Sequence, residues 1–453
     1  MTHTDLTTGD IKAHIKRLTI PASIGWFFNT MFNVVDTFYA GKISTTALAG
    51  LSMSFPIFFM VIAFSSGLGT GSTALISNAL GRKSREDYHR LGLNALVLAW
   101  ILGLGLMAVG LLAGRPIFEL MGAGGEVLDY GVRYIDVIFL GAVFFISNHI
   151  LNAMLASQGD TRSNRNYLFV AFVLNIILDP IFMFGWLGFP AMGTAGVALA
   201  TILVQLYGNV YLARKVVKSP AFSLHLLKTA RLSVRTMLEI LHQALPASLN
   251  MMTNSLGLFI VNAYAMRYGG DAVVAAYGAS LRIEQLTTLP ALGLNMAALT
   301  IAGQNFGAGR LDRVREVYRQ CLKYGFVLMT SGMVVIFLLA RVLISTFNND
   351  PAVVSAGITI IRIVVLVFNA YMLVNVSLAI MQASKRPYVA MGIGFLRQIA
   401  LPSFMFYFLG TTLAMGVRGI WTGLVINNWI AAAVAVLYAH RTLRRMEEAR
   451  RPQ

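Results

Sequence analysis

Apolar positions along this chain gather into twelve long runs, and the polar positions fall in short loops between them. The runs lie near 18–41, 47–79, 91–113, 129–157, 166–187, 193–215, 236–266, 272–304, 322–343, 352–382, 388–409 and 417–440. A helix needs about 20 mostly apolar residues to cross the hydrocarbon core of a bilayer, so each run is long enough to span it. The pattern predicts an all-α integral membrane protein with twelve transmembrane helices. One run poses a question of its own. Tyr167 to Leu187 reads YLFVAFVLNIILDPIFMFGWL, and Asp179 is its one formal charge.

Composition agrees with the pattern: 57% of the 453 residues are hydrophobic and 12% are charged, too few to coat a soluble fold. The first run does not read as a cleaved signal peptide, because it is long, carries Asn29, Asn33 and Asp36, and lacks a small-residue cleavage pattern. Cys321 stands alone, which excludes an intramolecular disulfide and a thiolate metal cluster. GLGTGSTA, from Gly67, lacks the GK[ST] ending of a phosphate loop, and its glycines fit close helix packing instead. With no nucleotide motif, metal cluster or nucleophile constellation, neither an enzyme nor an ATP-driven pump is expected, and no cofactor.

A net charge of +17 would suggest nucleic acid in a soluble protein. Its distribution points to the lipid bilayer as partner instead. With the N-terminus inside and twelve crossings, 27 of the 36 Lys and Arg fall in cytoplasmic segments, and six fall outside: Lys42, Arg115, Arg133, Arg267, Arg341 and Arg418. This is the positive-inside asymmetry, and it predicts that both termini are cytoplasmic.

The two halves of the chain repeat one another. LTIPAS, ending at Ser23, answers to QALPAS, ending at Ser248, and GRKSR from Gly81 to GRLDR from Gly309. DPIFMF from Asp179 answers to LPSFMF from Leu401, and AMGTAGV from Ala191 to AMGVRGI from Ala414, all at offsets of 222 to 228 residues. A unit of six helices repeats in the same membrane orientation. The expected organisation is an N-lobe at 1–215, a cytoplasmic linker at 216–235, a C-lobe at 236–440 and a cytoplasmic tail at 441–453, the two pseudo-symmetric six-helix bundles facing a central cleft. No feature demands an oligomer, and a monomer is expected.

The repeat sharpens the question of Asp179. Where the first half has Asp36 and Asp179, the second has Val261 and Leu401, whereas the following proline recurs as Pro180 and Pro402. A carboxylate in a membrane helix costs about 2.5 to 3.5 kcal/mol and usually faces a cavity or a partner. Asn175 precedes Asp179 by one helical turn on the same face. Pro180 lacks an N–H and so frees the Ile176 carbonyl. If Asp36 approaches these groups, they form a compact oxygen site able to exchange a proton or bind a hard monovalent cation. Against this stands a plain reading in which Asp-Pro opens a helix, with aspartate as N-cap, and Asp36 is interfacial. Pro21 reads either as a bend in the first helix or as a proline in its first turn.

Other charges inside runs are Arg282, Glu284, Arg362 and Arg397. Arg282 and Glu284 sit two apart, point to different faces and need partners elsewhere. His149 reads as a proton carrier or as an interior histidine. The 22 methionines and 11% aromatics suit an adaptable cavity for apolar cations, or ordinary membrane filler.

With PAS in the first run, NVVDTFYAG, SQGDTR, NIILDP and AGVALAT in order, the chain resembles the multidrug and toxic compound extrusion (MATE) family over nearly its whole length, and most closely its prokaryotic DNA-damage-inducible-F-like branch. The resemblance implies an antiporter of the bacterial or archaeal cytoplasmic membrane. It would expel organic, often cationic and amphipathic small molecules in exchange for inward H+ or Na+. Carried over by position, the family's N-lobe cation site falls on Asp36, Asn175, Asp179 and Thr201, a set that would also hold Na+. Thr194 is the competing threonine. Tyr134 and Asn152 fall in the surrounding hydrogen-bond network, and Pro21 at the proposed bend of the first helix. A flippase for lipid or lipid-linked precursors is the rival reading; it would be expected to line its cleft with more cationic residues than Arg282, Arg362 and Arg397.

Overall fold

The computed structural model describes residues 5–347 and 350–448. Of the expected tail at 441–453, residues 449–453 therefore lie outside the described residues, and 441–448 continue the last helix. The helices are α1 (Ile11–Ile43), α2 (Thr45–Gly81), α3 (Arg85–Leu120), α4 (Gly125–Leu140), α5 (Ala142–Ala156), α6 (Arg162–Phe184), α7 (Thr194–Val217) and α8 (Leu224–Thr229). There follow α9 (Val234–Gly307), α10 (Leu311–Ser345), α11 (Pro351–Val364), α12 (Phe368–Ala383), α13 (Pro387–Phe395), α14 (Leu401–Tyr407) and α15 (Val417–Glu448). Among the described residues there is no strand.

Among the described residues, nine helices are long and apolar enough to cross a bilayer, with α11–α12 and α13–α14 each counted as one. The run at 129–157 is α4 and α5 together, a span bent by 48° at Gly141. The runs at 236–266 and 272–304 are the two limbs of α9, divided at Gly270, whose φ of 66° and ψ of −165° only glycine adopts readily. With α1 the spans number twelve, in the twelve-helix, two-repeat fold. α1 is not among the nine, because Asn29, Thr30, Asn33, Asp36 and Thr37 dilute its apolar stretch.

α1 also begins seven residues before the apolar run at 18. The Asp10 carboxylate caps it, accepting from the Lys12 and Ala13 N–H groups at 3.1 and 3.3 Å. Its first turns bury Ile11, Ile15 and Leu18 on one face and leave Lys12 and Lys16 exposed, a helical stripe that hydropathy alone does not register. Pro21 consequently lies inside the helix and not in its first turn.

The chain forms two compact units, one comprising Ile24–Ser248 and the other Leu6–Ser23 with the chain from Leu249. Each half of the repeat thus sends the start of its first helix into the unit built mainly from the other half. The two PAS segments mediate both exchanges. In the first unit a Cβ on Gly67 would lie 2.0 Å from Ser248 Oγ, and one on Gly71 would lie 2.7 Å from the Ala244 nitrogen. In the second unit a Cβ on Gly293 would lie 2.2 Å from Ser23 Oγ and 2.7 Å from the Thr19 carbonyl. Small residues on both sides let the helix backbones touch. Upstream, the Leu6 N–H donates to Gln304 Oε1 at 3.0 Å and the Leu6 carbonyl accepts from Asn305 at 3.0 Å. Arg310 and Arg313 donate to the Thr7 and Gly9 carbonyls.

The segment between α7 and α9 is fastened to α3. The Ser223 N–H donates to His89 Nε2 at 2.8 Å, the Ser233 N–H to Asn94 Oδ1 at 2.8 Å, and Asn94 Nδ2 to the Arg231 carbonyl at 3.0 Å.

Candidate functional site

Asp36 on α1, Asn175 and Asp179 on α6 and Thr201 on α7 come together inside the first unit. Asp36 is 4% exposed and the other three are fully buried. The Asn175 amide nitrogen bridges the two carboxylates, donating to Asp36 Oδ1 at 2.8 Å and to Asp179 Oδ1 at 2.9 Å. The helical spacing of four residues makes this possible, since it stacks Asn175 and Asp179 on one face of α6. Asp179 lies inside α6, five residues before its end, so the Asp-Pro pair does not open a helix and aspartate is not its N-cap.

α6 continues through Pro180 because the freed Ile176 carbonyl finds another donor: the Tyr39 hydroxyl, at 3.1 Å. That carbonyl is therefore not left bare, as the proline alone would suggest, but already accepts one hydrogen bond from α1. Tyr39 was not singled out from the sequence, although it lies one helical turn beyond Asp36.

α7 is held against α6 at Gly196, where a Cβ would lie 2.5 Å from the Phe182 carbonyl carbon and 2.7 Å from the Met183 nitrogen. The approach continues in the loop, where the Met192 and Gly193 N–H groups donate to the Phe182 and Met183 carbonyls at 3.0 and 3.2 Å. This close packing brings Thr201 beside Asp36. Thr194, the competing threonine, points elsewhere and donates to the Tyr130 carbonyl at 2.8 Å.

Three buried oxygens of the cluster, Asn175 Oδ1, Asp179 Oδ2 and Thr201 Oγ1, make no hydrogen bond of regular geometry among the described residues, although Asp179 and Thr201 both lie beside the Asp36 carboxylate. Two carboxylates bridged by one amide, with three further oxygens unsatisfied, make an environment that a proton or a small hard cation would complete. The ligand atoms are neutral or anionic oxygens, a set that suits Na+ as well as H+.

Tyr134 is buried on α4 in the electrostatic field of Asp36 and Asp179. Asn152 is half-buried on α5, beyond the bend at Gly141, and among the described residues it makes no hydrogen bond to the cluster. Pro21 belongs to the part of α1 in the second unit. His149 packs its Cβ against Gly69 of α2. Arg362 lies over the Phe337 ring at 5.2 Å and Arg397 over the Tyr371 ring at 5.1 Å. Glu284 faces Tyr371 and Arg397, while Arg282 is exposed.

The sequence reading also missed a polar row along α7. Gln205, one turn beyond Thr201, accepts from Asn148 at 2.7 Å and from the Tyr167 hydroxyl at 2.9 Å. Asn209, a turn further, donates to the Phe144 carbonyl at 2.9 Å. The spacing of four residues from Thr201 is the signal that would have found it.

The profile of the MatE family matches residues 21–181 and 246–402. Each match begins at the proline of a PAS segment. The chain is 27% identical over 442 residues to a protein of Shewanella oneidensis named FAD transporter, covering 96% of each chain. It is 28% identical over 356 residues to the probable multidrug resistance protein NorM of Thermotoga maritima, covering 78% of this chain and 76% of that one. A solved structure described as the outward-facing conformation of a multidrug resistance MATE family transporter of the MOP superfamily superposes with a TM-score of 0.92 at 26% identity, over 99% of each chain.

Proposed function

The chain belongs to the MatE family of membrane transporters, and on that premise we propose that it is a secondary antiporter exporting organic, often cationic and amphipathic compounds in exchange for inward H+ or Na+. It is a transporter and not an enzyme. The observation that carries the reading is the buried cluster of Asp36, Asn175, Asp179 and Thr201, with its bridged carboxylates and unsatisfied oxygens. A cation entering this cluster changes the charge that the first unit must bury, and so favours one conformation over another. Because a ligand shifts an equilibrium only by its differential affinity for the states, cation and cargo must be coupled energetically. H+ is the favoured coupling ion, since two adjacent carboxylates readily share a proton.

The lobe limits read from the repeat, the cytoplasmic position of both termini, a bacterial or archaeal cytoplasmic membrane and a monomeric state complete the proposal. The asymmetry of Lys and Arg between the loops supports the orientation. A second reading of the cargo is favoured by the relative named FAD transporter, which matches along 96% of this chain. It takes the cargo to include flavin dinucleotides.

The test is export of ethidium from vesicles containing the purified protein, with a proton or a sodium gradient imposed separately. The wild type is expected to export ethidium under one gradient, and Asp36→Asn to insert normally and export none. Unchanged export by Asp36→Asn would sink the assignment.

A further inference from the structure

The register that sets Asp179 against Leu401 sets Asn175 against Arg397. Where an amide bridges two carboxylates in the first unit, the second unit has a guanidinium, with Val261 and Leu401 at the places of the carboxylates. The backbone differs as well. Leu396–Ala400 forms a π turn between α13 and α14, whereas α6 is α-helical through the equivalent stretch. Such turns appear frequently at functional sites.

Around Arg397 the second unit arranges a specific environment. The guanidinium carbon lies over the Tyr371 ring of α12, 5.1 Å from its centroid. Glu284 of α9 lies in electrostatic range of both Arg397 and Tyr371. Tyr277, beside Glu284, packs on Trp421 with ring centroids 5.3 Å apart. Arg397 Nε is buried and has no acceptor among the described residues.

A guanidinium carries five N–H donors in a planar fork, and a buried donor left unmet costs about 1–3 kcal/mol, more when charged. An arginine retained for structure would turn this fork onto a carboxylate in a bidentate pair. Here the guanidinium carbon lies over the Tyr371 ring while the Nε donor stays unmet. The side chain is also partly exposed. A charged group within the membrane rarely faces lipid, and its open side is therefore expected to meet water. A planar cation that lies over an aromatic ring, keeps one buried donor unmet and is partly exposed elsewhere is suited to a planar or tetrahedral oxyanion.

We propose that Arg397, held in place by Tyr371, binds the carboxylate or phosphate group of an organic ligand, and that Glu284 competes with that group for the guanidinium. The site rests on the reading of the chain as an exporter of small organic molecules. It adds an anion-recognising centre in the unit that lacks the buried carboxylate pair, so that anionic or zwitterionic compounds become cargo alongside cations.

The experiment measures binding by fluorescence anisotropy on the full-length protein in nanodiscs of neutral phosphatidylcholine, with carboxyfluorescein as the anionic probe and ethidium as the cationic one. Arg397→Gln is expected to lower the ratio of carboxyfluorescein to ethidium affinity by about tenfold or more. Arg397→Lys, which keeps the charge and loses the fork, is expected to fall between the two. Glu284→Gln is expected to raise carboxyfluorescein affinity. Should Arg397→Gln fail to fold, the latter two variants carry the test. Competition by inorganic phosphate supports a free anion as ligand; Arg397-dependent loss of binding in phosphatidylglycerol nanodiscs supports a lipid headgroup as occupant of the same centre. The proposal is overturned if the wild type does not bind carboxyfluorescein, or if no variant moves the ratio by more than about twofold. Loss of ethidium export with carboxyfluorescein binding intact would instead count against the transport reading.

Discussion

The aspartate that interrupts NIILDPIFMF is accommodated by three particular atoms: the Asn175 nitrogen that bridges it to Asp36, and the two oxygens of its own carboxylate, one bonded and one open. Asp36, Asn175 and Asp179 were legible because charge is rare in apolar runs and helical periodicity fixes what lies four residues away. The Ile176 carbonyl was misread for a physical reason. Sequence shows that a proline frees an acceptor, but not which donor arrives to meet it, and here α1 delivers Tyr39 along with Asp36. The family resemblance selects Thr201 over Thr194, and in the structure Thr201 lies beside Asp36 whereas Thr194 donates to the Tyr130 carbonyl. Thr201→Ala is expected to raise the half-saturating concentration of the coupling ion about tenfold, equivalent to about 1.4 kcal/mol. Thr194→Ala, which breaks the bond to the Tyr130 carbonyl, is expected to lower the thermal midpoint without moving that concentration. Ion titrations of ethidium export and melting curves on both variants check the pair, and equal effects on the ion titration would refute the choice of Thr201.

At the level of elements, long runs of apolar residues located the spans well and their ends poorly. Hydropathy reports where lipid is, and α1 enters the membrane only after an amphipathic opening that buries Ile11, Ile15 and Leu18 against protein. The bend at Gly141 was equally invisible, because apolar content is uniform across it. Glycines in the runs signalled close packing but not with what. Gly196 shows how much depends on the partner, as its missing side chain is what lets α7 reach the backbone of α6 next to Asp179. Gly196→Ala forces those helices apart. Overpacking of this kind costs about 1–3 kcal/mol, and the variant is expected to melt earlier and to export ethidium with a weakened dependence on the imposed ion gradient. A variant that melts earlier yet keeps full ion dependence would show that the α6–α7 contact supports the fold alone.

Across the whole molecule, the repeat was legible from matched words at a near-constant offset, and the family match begins at the same two prolines. What the repeat did not disclose is the exchange of helix starts, since matched sequences reveal equivalence and not which surface each segment covers. The exchange predicts the behaviour of a divided chain. Cut between α8 and α9, the N-terminal fragment loses Val234–Ser248, the segment that packs on Gly67 and Gly71. The C-terminal fragment loses Leu6–Ser23 from Gly293. Neither fragment alone is expected to give a monodisperse peak on size-exclusion chromatography in detergent, while the two produced together are expected to co-elute. A stable, monodisperse fragment on its own would contradict this.

The same exchange sets an order of events during synthesis. Leu6 leaves the ribosome 298 positions ahead of its hydrogen-bond partner Gln304. Chains emerge at about 5–20 residues per second, so the opening of α1 waits with its apolar stripe uncovered while the residues up to Gln304 are made. Lys12, Lys16 and Arg17 flank that stripe, the composition of a helix that rests on an anionic membrane surface. The nascent protein thus has a natural holding place for the opening of α1 on an anionic bilayer surface until the second limb of α9 is made to receive it.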